Sequence, residues 1–300
     1  MEHMNSNKVH VSVPELQNRA RLLISCPDQS GIVAAVSQFL SDQGANIVHS
    51  DQYTMDPAGG IFFMRIEFDL HESSKHLAAI QSDFATLADP FGMRWLLSPA
   101  SHRKRLAIFV SKEDHCLLEL LWQWRAGELD ADIVLIVSNH LDMKTIAESF
   151  GIPYLYVPVT PETKAEAESQ HREAVKLANV DIIILARYMQ IIPSTFIEQY
   201  RNRIINIHHS FLPAFVGGNP YAQAHHRGVK LIGATAHYVT EELDGGPIIE
   251  QDIQRVTHRN HVTDLKRIGR QIERTVLARA VAWHVEDRVI VHNNKTVVFI

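Results

Sequence analysis

The sequence is short of cysteine, of net charge and of long apolar runs, and each shortage removes a class of function. Only Cys26 and Cys116 occur in 300 residues, far apart. A disulfide framework is therefore not expected, and a reducing cytoplasm is the expected compartment. The formal net charge is −5 and the isoelectric point near 6.4, so no global basic field exists to hold nucleic acid or an anionic membrane. Apolar runs such as "IVLIV" at 133–137 fall far short of the roughly 18 residues a membrane span needs. The first residues, "MEHMNSNKVHVSV", lack the charged-then-apolar pattern of a secretory signal. No H-E-x-x-H or paired-cysteine spacing points to a metal, and no G-x-G-x-x-G follows the apolar run "RLAIFVS". Neither a metal nor a dinucleotide cofactor is expected.

What is present is the balance of a globular protein, 46% hydrophobic and 21% charged residues, enough for one large domain or two ordinary ones. The first part alternates as a ferredoxin-like β-α-β-β-α-β unit. "RARLLISC" reads as a buried strand. In the stretch that follows, Ile32, Val33, Val36, Phe39 and Leu40 recur at helical spacing. Asp28 or Ser30 is the expected cap of that helix, and Gly44 its end. "ANIVHSDQYTM" and "GGIFFMRIEFDL" read as strands around a turn at 56–60, "KHLAAIQSDFATLA" as a second amphipathic helix, and "MRWLLS" as a fourth strand. This places a first domain at 1–98, with an ordered core about 19–98, and a polar linker at 99–104.

From 105 to 300 the rhythm changes. "RLAIFVS", "ADIVLIVS", "PYLYVPV", "VDIIILAR" and "RIINIHHS" are Ile-, Val- and Leu-rich runs alternating with helical stretches, which argues for a doubly wound, mostly parallel sheet covered on both faces. "LIGATAHYV" and "GPIIEQDIQRV" are expected to pair antiparallel through "TEELDGG". A long helix near 262–284 and a hairpin turning at "NN" complete the α/β chain.

In such sheets, sites gather at the carboxyl ends of the strands. "INIHHS" is one such end, and side chains on a strand alternate, so Asn206 and His208 face a common side. They are read either as a site or as two satisfied polar groups at a strand tip. Asp244, in "ELDGGPII", is read either as a turn former or as a third member; Gly245 and Gly246 allow a sharp turn and close approach. Adjacent histidines, as in His208–His209 and His225–His226, point to opposite faces and seldom share an ion. Ser210 lacks the glycines of a nucleophile elbow, and "VGG" at 216–218 is not a phosphate loop.

"NIHHSFLPAF", "GATAHYV" and "ELDGGPII" together resemble the signature of the folate-dependent formyltransferases, over roughly 103–300. "CPDQSGIVAAVSQFLSDQGANI" resembles the first loop, helix and second strand of an ACT domain, a regulatory module that often binds amino acids. The combination resembles the formyltetrahydrofolate deformylases. That resemblance implies Asn206, His208 and Asp244 as the catalytic trio. It implies a pterin slot near "LARYMQII", its edge read by the backbone of Arg187, Tyr188 and Met189 and of the 241–246 loop with Leu243 and Gly245; Arg187 is read either so or as a surface charge. The implied reaction is hydrolysis of 10-formyltetrahydrofolate to tetrahydrofolate and formate, which supplies formate for purine biosynthesis and balances the one-carbon folate pool. The stretch "FVSKEDHCLLELL" has no glycine before Gly127, and carries Glu113 and Asp114 where a purine-pathway transferase holds a phosphate. His209 stands where that transferase has proline. The alternatives are formyl transfer to an amine, or amino-acid sensing by a protein with an inactive second domain. By the same resemblance Asp28, Ser30, Gly31, Ile32 and Asn46 would border an effector site at a subunit interface in a homo-oligomer, with glycine or methionine as the effector.

Overall fold

The computed structural model describes residues 16, 18–56, 59–70, 77–214 and 219–300. The "VGG" at 216–218, the first fifteen residues, part of the 56–60 turn and the start of "KHLAAIQ" lie outside them. The chain divides into two compact units, residues 1–102 and 103–298.

The first unit runs β1 (Arg19–Pro27), α1 (Ile32–Asp42), β2 (Ala45–Thr54), β3 (Ile61–Leu70), α2 (Leu77–Ala88) and β4 (Arg94–Pro99). Its sheet has the order β2-β3-β1-β4, with every neighbour antiparallel. Leu22 and Ile24 of β1 and Met64, Ile66 and Phe68 of β3 bury one face against Ile32, Val36 and Leu40 of α1 and Ile80 and Phe84 of α2. That is the period of two meeting the period of 3.6. The expected cap is corrected: Gly31, not Asp28 or Ser30, stands at the N-cap of α1, and no side chain caps the helix. The chain enters through φ +95 at that position, a left-handed turn that glycine makes without strain. Gly44, at φ +72, ends the helix with its N–H on the Ser41 carbonyl.

The second unit is a seven-stranded sheet. β5 (Lys104–Val110), α3 (His115–Ala126), β6 (Ala131–Ser138), α4 (Lys144–Ser149), β7 (Tyr154–Tyr156), α5 (Lys164–Leu177), β8 (Ile182–Ala186), α6 (Ser194–Gln199) and β9 (Ile204–His208) alternate strand and helix. Then come α7 (Pro220–Arg227), β10 (Leu231–Tyr238), β11 (Ile248–Arg255), α8 (Val262–Val285), β12 (Val289–His292) and β13 (Lys295–Val298). The order is β11-β10-β9-β8-β5-β6-β7. Strands β5 to β9 are parallel, and β10 and β11 are antiparallel. The order reverses between β5 and its neighbours β6 and β8, which opens a crevice outside the carboxyl ends. Both faces are covered. Ile205 and Ile207 point into the core built with α3 and α8, whereas Ile204 joins Phe109, Ile183, Tyr188 and Phe196 on the other side. No described helix is long and apolar enough to cross a membrane.

Candidate active site

The site starts from one strand pair. In β9, Asn206 and His208 leave the same face, since they are two residues apart. β10 runs antiparallel beside it, and His237 stands directly opposite Asn206 in the ladder. Residues opposite one another share a face, so three nitrogen-bearing side chains gather there. Asn206 Nδ2 is 3.2 Å from His237 Nε2. The chain after β10 then doubles back and brings in Asp244, whose Oδ1 lies 3.2 Å from His208 Nδ1 and 3.8 Å from His237 Nε2.

Gly246 makes this return feasible. A Cβ there would stand 1.8 Å from the Tyr238 carbonyl oxygen, so only glycine permits the two backbone segments to approach. The left-handed residue of the turn is Asp244 itself, at φ +56. A non-glycine residue in that region carries strain that the surroundings must hold.

Hydrogen bonding sets the charges. The bond from His208 is the main influence holding the Asp244 carboxyl below its ordinary range; burial opposes it, and the neighbouring imidazoles add to it. Burial pushes His237 down, partly offset by its bond to the Tyr238 carbonyl and by the Asp244 charge. His208 is buried, and its Nε2 has no hydrogen-bond partner among the described residues. Asp244 is thus an anion tied to one side of an imidazole whose other nitrogen is unengaged.

A cavity of about 340 Å³ adjoins these groups. Arg187 to Ile192, after β8, form one wall, and Val239 to Asp244, after β10, form another. Met189, Ile191 and Leu243 are exposed apolar residues among its lining, suited to a flat apolar ring system with few convergent polar groups. Tyr188 turns its ring into the core, edge-on to Phe109 at 5.3 Å. Ser111, just past β5, accepts the Met189 N–H at 3.0 Å and donates to Asn139 Oδ1 at 2.7 Å, which anchors the first wall. Gly245 is not among the lining residues: its carbonyl accepts from Asn294 Nδ2, and a Cβ on it would meet the Glu242 side chain.

Behind the cavity, on the α8 face, lies a buried carboxylate. Glu273 receives His115 Nε2 at 2.8 Å and the Tyr221 hydroxyl at 2.5 Å, with Arg187 Nε at 3.4 Å. Burial alone would raise its pKa, but the His115 bond, the Arg187 and His115 charges and the Tyr221 bond outweigh it and hold the group at about 2. His209 points to this side, its ring 6.0 Å from that of Tyr221. Burial, with help from Arg187, pushes His209 down to about 4. His209, one residue past β9, does not follow the alternation expected of a strand: its ring lies 5.2 Å from that of His208, and both line the cavity. His115, Cys116 and Glu273 have ligand atoms within 4.8 Å of one another, but the Arg187 guanidinium already sits beside that carboxylate and would repel a cation.

Asn206, His208 and Asp244, distant in sequence, are brought together, with Arg187, Tyr188, Met189 and Leu243 at the same cavity. The residues named in the first unit do not converge within one chain. Asp28, Ser30 and Gly31 sit at the end of the sheet where Pro27 pairs with Ile61, whereas Asn46 pairs with Asp69 at the other. These ends are roughly 25 Å apart at about 3.3 Å per residue. Ile32 packs its side chain into the core. Sequence reasoning missed His237, Ser111, His115, Tyr221 and Glu273. His237 was signalled by alternation in "GATAHYV", Ser111 by its place at a strand's carboxyl end. Glu273 carried a charge at a position spaced with Gly269, Val276 and Ala280 on the buried stripe of α8.

Comparison with known proteins gives the same division. A formyl transferase family model matches residues 104–281, and an ACT domain model matches residues 20–85. The formyltetrahydrofolate deformylase of Bacillus subtilis (strain 168) is 57% identical over 283 residues, covering 94% of each chain. That of Escherichia coli (strain K12) is 40% identical over 274 residues, covering 91% of this chain and 95% of its own. A solved formyltetrahydrofolate deformylase from Pseudomonas syringae pv. tomato str. DC3000 superposes with a TM-score of 0.91 at 47% identity, covering 94% of each chain. Glycinamide ribonucleotide transformylase 1 from Symbiobacterium toebii gives 0.62 at 28% identity, covering 66% of this chain and 94% of its own.

Proposed function

We propose that this chain, which belongs to the formyltetrahydrofolate deformylase family, hydrolyses 10-formyltetrahydrofolate to tetrahydrofolate and formate, supplying formate and balancing the one-carbon folate pool. The observation that carries the reading is the convergence of Asn206, His208 and Asp244 at a cavity of about 340 Å³ walled by Met189, Ile191 and Leu243.

The chemistry follows from the donor set. Water attacks the formyl carbon, and the carbonyl oxygen becomes an oxyanion. An Asn206 N–H and protonated His208, through the buried Nε2 that has no hydrogen-bond partner among the described residues, donate to that oxygen; one such donor is worth about 100- to 1000-fold. Asp244 lies 3.2 Å from His208 Nδ1 and holds that ring in place. It also orients the water and passes one of its protons to the folate nitrogen as the C–N bond breaks. The hydroxyl stays on the formyl carbon, and the product ionises to formate. General acid–base help of this kind is worth roughly 100- to 10,000-fold. The pterin lies in the apolar slot, its edge read by the backbone of Arg187 to Met189 and of the loop after β10.

Purified protein is incubated with 10-formyltetrahydrofolate and no acceptor, and formate is measured. Release of formate is expected; its absence, with rapid formyl transfer to an added amine, would overturn the hydrolase reading.

The first unit binds an amino acid, glycine or methionine, between two copies of the chain. Support comes from the edge strand β2, whose Ile47, Val48 and Tyr53 are exposed, the kind of edge that pairs with another chain. Asp28 and Asn46 lie at opposite ends of the sheet within one chain, so in this reading they would meet only across two copies. A formate release rate unchanged by saturating glycine and methionine would remove both effectors.

A further inference from the structure

We propose that His237 is a positioning residue for deformylation: it fixes which way the Asn206 carboxamide faces. The inference rests on the hydrolase reading of the same site. A carboxamide has two nearly isosteric ends, and only its NH₂ end stabilises an oxyanion. Something must choose between them.

The choice is written in the bonds of His237. Its Nδ1 lies 2.9 Å from the Tyr238 carbonyl oxygen. A carbonyl only accepts, so Nδ1 carries a proton. The ring is buried, which disfavours a second proton. Nε2 therefore presents a bare lone pair. It lies 3.2 Å from Asn206 Nδ2, and only an N–H of the amide can meet it. Asp244 Oδ1, at 3.8 Å, is too far to compete. One Asn206 hydrogen is thus spent on His237, and the other is left for the formyl oxygen in the cavity that both residues line. A flipped amide would set Oδ1 against the lone pair and turn a carbonyl toward the developing negative charge.

The backbone makes this arrangement rigid. Asn206 and His237 are direct partners in the β9–β10 ladder, so their side chains are paired by the sheet rather than by a loop. The groups facing His237 are Asn206, the Tyr238 carbonyl, Asp244 and, through Asp244, His208.

The test is a double-mutant cycle on formate release, read as kcat and KM separately. Wild-type release comes first; if none occurs, the hydrolase reading fails and not this inference. His237→Phe removes the acceptor and is expected to lower kcat about 100-fold or more, the cost of one oxyanion donor, with KM within about threefold. His237→Gln restores an acceptor oxygen and is expected to stay within about tenfold of wild type. In the Asn206→Ala background, His237→Phe should cost no more than about threefold, because its effect runs through the missing amide. If the Phe variant does not fold, His237→Leu, which likewise lacks an acceptor, carries the same comparison. A near-wild-type kcat without the acceptor, or the same loss in both backgrounds, would overturn the proposal.

Discussion

The ring of Tyr221 occupies the space that a side chain on Gly269 would need: a Cβ at Gly269 would lie 1.9 Å from the Tyr221 hydroxyl. Glycine at this point of α8 lets the tyrosine cross the helix and reach Glu273, one turn later, at 2.5 Å. The carboxylate in turn fastens His115 of α3 and Arg187 after β8, so a missing methyl group holds four elements together behind the cavity.

Gly269→Ala tests this. Alanine is the better helix former by about 1 kcal/mol, but the collision forces the ring off its partner, and overpacking costs roughly 1–3 kcal/mol. We expect net destabilisation in urea unfolding. A gain in stability would show that Tyr221 moves aside without loss.

Stability should fall as the solution is acidified from about pH 6.5 toward 4. His171 packs against Phe109 and Tyr188, and burial pushes it from 6.5 down to about 4. Its folded pKa lies below its unfolded one, so protonation favours unfolding. The stability from its neutral form is complete above the unfolded value and lost across this window, on the order of 3 kcal/mol. His209 acts in the same direction. His171→Leu should flatten the dependence of unfolding free energy on pH; an unchanged slope would show that His171 takes up its proton without unfolding.

Asp244→Asn should leave circular dichroism and unfolding nearly unchanged and lower kcat for formate release at least about 100-fold. The amide keeps the shape but is no proton acceptor. Turnover near wild type would take Asp244 out of the chemistry.

Ser111→Ala removes the acceptor of the Met189 N–H while leaving the β9–β10 residues alone. A buried hydrogen bond of this kind contributes about 1 kcal/mol, so KM should rise several-fold, with a smaller change in kcat. Equal loss in kcat would place Ser111 nearer the reacting carbon than the wall it anchors.

Much of this architecture was legible because it rests on short-range rules. Alternation put Asn206 and His208 on one side, and Ile-Val-Leu runs between helical stretches announced the parallel sheet; His209, past the end of β9, escaped the alternation and lies beside His208. What was not legible depends on partners distant in the chain. Nothing local says that His237 pairs with Asn206; that is fixed by the register of β10 against β9. Glu273 lies on the buried stripe of α8, but its three partners come from other elements. The capping of α1 went to Gly31 because a helix start can be set by backbone conformation instead of a side-chain oxygen. "ELDGGPII" suggested that the glycines bend the chain; in fact Asp244 takes the left-handed turn, and Gly246 clears the way for Tyr238.

The ladder between β9 and β10 has a consequence for how such a catalyst could diversify. The amide and the imidazole opposite it hang from rungs of backbone hydrogen bonding, while most of the surface that would recognise a guest belongs to the segments 187–192 and 239–243. Selectivity and the Asn206–His237 alignment are therefore largely separable properties: residues 187–192 could be exchanged, by evolution or by graft, with the nitrogen pair kept in register by the ladder behind it.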